Sequence, residues 1–270
     1  MSFVEVCGIG FGGDHNPVGG LIYQQLIDWD GRPQARGGGN SIPGGHGVFA
    51  RTQELRESRV ISVEAAIVAD SADEYFLVKR RVENMPMFGE MRVDQGDGVW
   101  VRSIEVESIS IPDAWGGTET LFTIDMIAPD PVRYRDPVVL GPAGLPVRSG
   151  GLVLPRSFPW DFGTSVTPRL PVVNGGSLPV YPRFTVRGAA DAVTVHGGPR
   201  SVQFGPFDGE LVFDSLQRRA WLDGVEVTRQ LVRRDWPVVS PGEAQDFFFE
   251  AVNPTPDTVL ESVEYRIGVW

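Results

Sequence analysis

Apolar and polar residues alternate along this chain in short runs, and turn residues break the runs apart. In Arg59 to Ala69, Ile61, Val63 and Ala65 fall on one phase, and Val60, Ser62 and Glu64 on the other. Successive side chains of a strand point to opposite faces, so this stretch predicts a strand. Leu21 to Trp29, Glu90 to Val93, Val99 to Ile109 and Thr118 to Ala128 read the same way, with Asp94-Gln95-Gly96-Asp97-Gly98 as a tight turn. One segment breaks the two-residue period. Ser71 to Asn84 predicts a helix, with Ser71 as N-cap, Asp73 and Glu74 in the first turn, and Arg80 and Arg81 near its end. Phe76, Leu77 and Val82 are expected to form its apolar face, and Met85-Pro86 to stop it.

The second half carries no helix pattern. Val166 to Val173, Pro182 to Gly188, Ala192 to His196, Ser201 to Phe204, Glu210 to Asp214, Ala220 to Val227, Asp246 to Ala251 and Leu260 to Ile267 predict strands. Asn174-Gly175 and Asp223-Gly224 both read as type I′ hairpin turns, because Gly tolerates a positive φ and Asn and Asp do so better than most residues. Between the halves, Pro129-Asp130-Pro131, Asp136-Pro137, Gly141-Pro142 and Pro146 interrupt any regular element. The pattern therefore predicts an all-β chain with one helix, in two domains, residues 1–140 and 141–270.

Composition changes this picture little. Gly 33 and Pro 22 in 270 residues agree with many short strands and turns. The formal charge of −11 repels phosphate backbones, so sequence-specific nucleic-acid binding is not expected. Such a charge would suit the wall of a channel through which DNA passes without sticking. Cys7 stands alone, which excludes an internal disulfide and a cysteine zinc cluster. The sequence shows no signal-peptide pattern and no apolar run long enough to cross a bilayer, so a soluble protein made in a cytoplasm is expected.

Candidate chemistry is sparse. Gly8-Ile9-Gly10-Phe11-Gly12-Gly13 lacks the strand, helix and acidic partner of a dinucleotide loop and reads as a turn. Asp14-His15-Asn16, His46 and His196 form no ligand spacing for a metal, and Asp94 and Asp97 lack the distal glutamate of a calcium loop. No metal, cofactor or catalytic constellation is expected. Trp160, Trp221, Trp236 and Phe247 could stack on a sugar, but aromatics alternating on strands usually form core. Trp160, in the loop-like Phe158-Pro159-Trp160-Asp161-Phe162, is the one residue left as a sugar contact. Arg32 to Gly47 is a long glycine-rich loop, and a connection that long is a candidate for function.

Four segments carry a resemblance. They are Asp28-Trp29-Asp30-Gly31 before the glycine-rich loop, Asp130-Pro131-Val132-Arg133-Tyr134 at the junction, Asn174-Gly175 with Pro182 to Gly188, and Leu211 to Ala251 with Trp236-Pro237 and Pro241-Gly242-Glu243. In this order and spacing the chain resembles the distal tail proteins, or minor tail proteins, of long-tailed bacteriophages. The resemblance implies a tail-tube-like β-sandwich with one helix followed by a galectin-like β-sandwich. It further implies a structural virion protein without catalytic residues, built into a ring, usually a hexamer, at the tail tip. Its partners would be other copies of itself, the tail tube protein and the baseplate hub or tail-associated protein, with the tape measure protein as a further candidate. Ring contacts would fall on the glycine-rich loop, at Gly37, Gly38, Gly39, Ile42, Pro43 and His46. The alternatives are a carbohydrate-binding protein that recognises the host surface through its second sandwich, and a hydrolase.

Overall fold

The structure is a computed structural model, and it describes residues 3–13, 17–36, 46, 56–112, 117–149 and 164–270. It divides into two compact units, Met1–Asp136 with Val269–Trp270, and Pro137–Gly268. Among the described residues strands dominate both, and one α-helix is present. The predicted class, all-β with a single helix, is the class observed.

The first unit contains β1 (Val4–Val6), β2 (Ile9–Phe11), β3 (Leu21–Ile27), β4 (Arg59–Val68), α1 (Ala72–Glu83), β5 (Phe88–Asp94), β6 (Val99–Ser110), β7 (Glu119–Ala128) and β8 (Arg133–Arg135). Its strands hydrogen-bond in the order β2-β1-β5-β6-β7-β4-β3, and β8 pairs with the start of β6. The alternation expected for β4 holds: Ile61, Val63, Ala65 and Ile67 are fully buried, while Val60 and Glu64 are exposed. On β7 the inward phase is Phe122, Ile124, Met126 and Ala128. Cys7 and Gly8, both at positive φ, turn the chain between β1 and β2, where the glycine run was expected to turn.

Helix α1 begins where its capping residues place it. Ser71 is extended, and its hydroxyl accepts the Glu74 amide. Glu74 in turn accepts the Asp70 amide at 2.9 Å, so two amides at the helix start are satisfied by side chains. The buried face differs from the expected one. Tyr75, Val78 and Val82 point into the core, whereas Phe76 is 55% and Leu77 67% exposed. Spacings of three and seven place Tyr75, Val78 and Val82 on one stripe, and Phe76 and Leu77 fall outside it.

The second unit contains β9 (Val138–Leu140), β10 (Val147–Ser149), β11 (Thr164–Val166), β12 (Leu170–Val173), β13 (Arg183–Ala190), β14 (Ala192–Gly197), β15 (Arg200–Phe204), β16 (Phe207–Asp214), β17 (Arg219–Leu222), β18 (Val225–Glu226), β19 (Arg233–Arg234), β20 (Ala244–Val252) and β21 (Val259–Tyr265). A five-stranded sheet, β12-β20-β14-β15-β19, shares one core with a six-stranded sheet, β18-β17-β16-β13-β21-β9. Phe247 and Phe249 of the first sheet meet Phe184, Leu211 and Phe213 of the second in that core, and the Phe184 and Phe247 rings lie 5.2 Å apart. Val138–Leu140 pairs with β21, so the chain enters the second unit just after Asp136.

The two predicted hairpin turns part ways. Asp223 (φ 49°) and Gly224 (φ 80°) form the type I′ turn between β17 and β18. Asn174-Gly175 makes no hairpin. Neither residue has a positive φ, and β12 pairs with the distant β20 instead. Asn174 is completely buried, and its side chain works as a strut. Its Nδ2 donates to the carbonyls of Leu178 (2.9 Å) and Val239 (3.0 Å), and its Oδ1 accepts the Gly176 amide (3.0 Å). Replacing it removes all three bonds; the Val239 carbonyl keeps the Val180 amide, and Gly176 and Leu178 are half-buried and can recover part of the loss from water. Asn174→Ala should therefore destabilise the second unit by about 2 kcal/mol, at roughly 0.5–1.5 kcal/mol per lost bond. Urea unfolding measures this, and a loss below about 1 kcal/mol would mean the strut is dispensable.

Candidate functional site: the base of a long arm

Residues 28–58 connect β3 to β4, and the two ends of this connection are held by side chains far apart in sequence. Asp28, at φ 57°, and Gly31, at φ 87°, bend the chain out of β3. Gln34 and Ala35 then run against Arg56 and Glu57, through an antiparallel bridge between Ala35 and Arg56 and a 3.1 Å bond from the Glu57 amide to the Gln34 carbonyl. Arg56 also donates to the carbonyl of Pro33, which is buried, and its guanidinium sits 5.6 Å from the Trp270 ring. Residues 33–35 and 56–57, the two ends of the connection between β3 and β4, are thus paired. Gly37, Gly38, Gly39, Ile42 and Pro43, expected to make ring contacts, lie outside the described residues; His46 is described and exposed.

Arginines close the base of the arm. Arg59, the first residue of β4, donates to the carbonyls of Asp28 and Asp30, each at 2.7 Å, and to that of Gly31. Arg102 on β6 donates to the Trp29 carbonyl at 2.7 Å, and its guanidinium lies 4.6 Å from the Trp29 ring. Both Trp29 and Arg102 are sequestered from solvent. Arg133 on β8 pairs with the Asp30 carboxylate, which also accepts from Gln95 Nε2 at 3.0 Å, and Arg133 bonds Gln95 Oε1 at 2.9 Å. The β5–β6 turn is tied in as well. Asp97 accepts from Trp100 Nε1 (3.0 Å) and from Arg135 (2.8 Å), and Trp100 lies under both Arg133 and Arg135.

The charges respond to this packing. Burial, reinforced by the Arg59 and Arg133 charges and opposed by Asp30 and Asp130, pushes Arg102 down to about 9, so it stays cationic at neutral pH. Burial raises the Asp30 carboxyl, but hydrogen bonds from Gln95 and Arg133 and the nearby Arg133 and Arg102 charges outweigh it and hold it below its ordinary value. The Asp28–Gly31 turn offsets the burial of Arg102 only in part: the Trp29 carbonyl takes one Nη and the Trp29 ring lies against the guanidinium, while Nε and the other Nη are buried without a hydrogen bond among the described residues.

Sequence reading had singled out Asp28-Trp29-Asp30-Gly31 and the Asp130 to Tyr134 junction without giving either a task. The structure brings them together through Arg133, while Asp130 accepts the Val132 amide and the Tyr134 hydroxyl, each at 3.0 Å. Arg59 and Arg102 were missed, although the pattern marks them. Each occupies the apolar phase of its strand, Arg59 with Ile61 and Val63, Arg102 with Trp100 and Ile104.

The remaining candidates are scattered. Asp14, His15, Asn16 and Trp160 lie outside the described residues. His196 stacks on Phe248 at 4.8 Å in the second unit. Trp221 and Trp236 are half-buried and Phe247 is core. Among the described residues no group of three His, Cys, Asp or Glu side chains is placed to hold a metal ion, and no helix is long and apolar enough to cross a membrane.

Two outcomes test the clamp. Arg59→Ala removes three charge-assisted bonds and should cost about 3 kcal/mol, given roughly 1.5–3 kcal/mol for a bond to a charged group and partial replacement by water. Hydrogen exchange should quicken at residues 28–36 and 56–58 and stay unchanged in the second unit. Asp30 has a lowered folded pKa, so its contribution is present above the ordinary carboxylate value and lost as pH falls through the lowered one. Asp30→Asn should therefore destabilise at pH 7, and its stability curve should converge on that of the parent in acid. A gap that persists unchanged to acid pH would contradict the carboxylate's role.

No family model matches the chain, and no curated protein matches it by sequence. Solved structures do. The SPP1 Dit (gp 19.1) protein, described as a paradigm of the hub adsorption apparatus in phages infecting Gram-positive hosts, superimposes with a TM-score of 0.64 at 14% identity, over 99% of each chain. A chain of the phage P2 baseplate, in its activated conformation with Ca, gives 0.50 at 9% identity, over 100% of this chain and 98% of that one. At these identities the likeness speaks for architecture, and because it runs end to end, the chain has the fold of a phage distal tail protein.

Proposed function

We propose that this protein is a structural component of a phage tail tip, a distal tail adaptor that assembles into a ring, most simply a hexamer. The ring would join the tail tube to the baseplate hub and the host-recognition proteins, with the tape measure protein as a further neighbour. The observation that carries this reading is the end-to-end likeness to the SPP1 Dit protein, which spans both units rather than one reusable sandwich. In this reading residues 1–140 are the tail-tube-like, ring-forming part and residues 141–270 the galectin-like part. The protein is not an enzyme. It is made in the host cytoplasm and ends in the virion.

The arm fits an assembly role. The described ends of the β3–β4 connection are paired and fixed by arginines, and within the connection Gly37, Gly38, Gly39, Ile42, Pro43 and His46 are the proposed contacts with a neighbouring subunit. Extended segments that add to a neighbour's sheet gain main-chain hydrogen bonds without needing a deep pocket. A head-to-tail contact that closes yields a ring rather than a filament.

Deleting Gly37 to Gly45 should leave the melting temperature within about 2 °C of the parent, since the paired ends and the clamp remain, while assembly weakens at least tenfold by native mass spectrometry. A parent that stays monomeric alone and on isolated tail tips would sink the adaptor reading. A deletion that lowers the melting temperature strongly would make the arm part of the fold instead.

A further inference from the structure

Two surfaces of the first unit are left with matching, unspent chemistry. The outward phase of β4 and β7 holds a groove of about 820 Å³. Ile22, Ala66, Val68 and Leu121 give it an apolar floor, and Leu121 is 60% exposed. Glu119 lines the groove, and Glu64 lines a smaller hollow of about 290 Å³ that shares Gln24 and Leu121 with it. Both glutamates are exposed, and neither pairs with a basic side chain among the described residues.

The second surface is the outward face of α1. The stripe that buries Tyr75, Val78 and Val82 leaves Phe76, Leu77 and Arg80 turned to solvent. The other charges of the helix are largely spoken for. Lys79 faces Glu83 at 3.8 Å, Arg81 donates to the Gly19 carbonyl, and Glu74 caps the helix start. Arg80 has no carboxylate partner among the described residues. Two large apolar side chains beside Arg80 on one surface thus have a counterpart on another, an apolar groove flanked by Glu119 and Glu64, and among the described residues none of these charges has an ionic partner.

We propose that these surfaces bind each other between copies of this chain, Phe76 and Leu77 of one subunit entering the β3–β4–β7 groove of the next, and Arg80 meeting Glu119 and Glu64. The inference rests on the ring reading above and names the joint. The contact is heterologous, since the donor patch and the acceptor groove are different surfaces. An isologous dimer through either surface alone would set like charges together, which costs several kcal/mol. An open row joined this way leaves one donor patch free at one end and one acceptor groove free at the other, and closure into a ring satisfies both. The arm and this joint are separate elements, and the joint supplies the apolar centre that a stable interface requires.

The test uses the full chain at several concentrations in native mass spectrometry. Arg80→Glu and Glu119→Arg should each raise the concentration needed for assembly at least tenfold. The double variant should recover most of the parent's assembly, because the pair is restored with its signs exchanged. Leu77→Asp, at a position already exposed, should also weaken assembly without lowering the melting temperature. Parent assembly that survives all three single substitutions within twofold overturns this joint and leaves the ring reading intact. A double variant no better than the singles also overturns it. A parent that never assembles removes the ring reading and the joint with it.

Discussion

The arginine clamp on the Asp28–Gly31 turn is the constraint on which the first unit is organised. One turn is gripped from β4, β6 and β8, by Arg59, Arg102 and Arg133, and the Trp29 side chain goes into the core beneath them. Each arginine answers a different need. Arg59 collects three backbone carbonyls at a sharp bend, Arg102 covers the Trp29 ring, and Arg133 neutralises Asp30 while bonding Gln95. Planar forks with several donors do this where an ammonium cannot, and the chain has Lys79 as its only lysine. Grafting a long excursion onto a sheet requires its two ends to be held together, and the clamp supplies that closure at the point where β3 ends and β4 begins.

Which parts of this were legible in the sequence follows from the range of the interaction concerned. The phases of β4 and β7, the Ser71 cap and the Asp223-Gly224 turn depend on neighbours within a few residues, and reading them needed no partner. Asn174-Gly175 carries the same local signal as Asp223-Gly224, but β12 finds its partner in β20, some seventy residues on, and the asparagine becomes a strut between Leu178 and Val239. The helix was placed correctly and its buried face was not, because Phe76 and Leu77 are more apolar than Tyr75 yet fall outside the stripe that meets the core. The clamp was half visible. An arginine in the apolar phase of a strand announces a buried charge, but only the fold brings Asp30, Trp29 and Gln95 within reach of it.

The exposed helix residues gain meaning from the same comparison. Phe76 and Leu77 were expected inside on grounds of hydrophobicity alone, and the structure puts them outside, beside an arginine with no carboxylate partner among the described residues. Scattered apolar residues on a surface need no explanation. A pair on one helix face, with a groove of opposite charge on the same unit, is a different matter, and it links the misread helix face to the ring proposed above. The second unit keeps a conventional two-sheet core and leaves this chemistry to the first.

Cryo-electron microscopy of the intact tail tip tests the central claim most directly. The account predicts a closed ring of this fold at the end of the tube, with the first units in mutual contact and the arms reaching between neighbours. A tail tip in which this chain is missing, or present as isolated copies that do not touch one another, would contradict it.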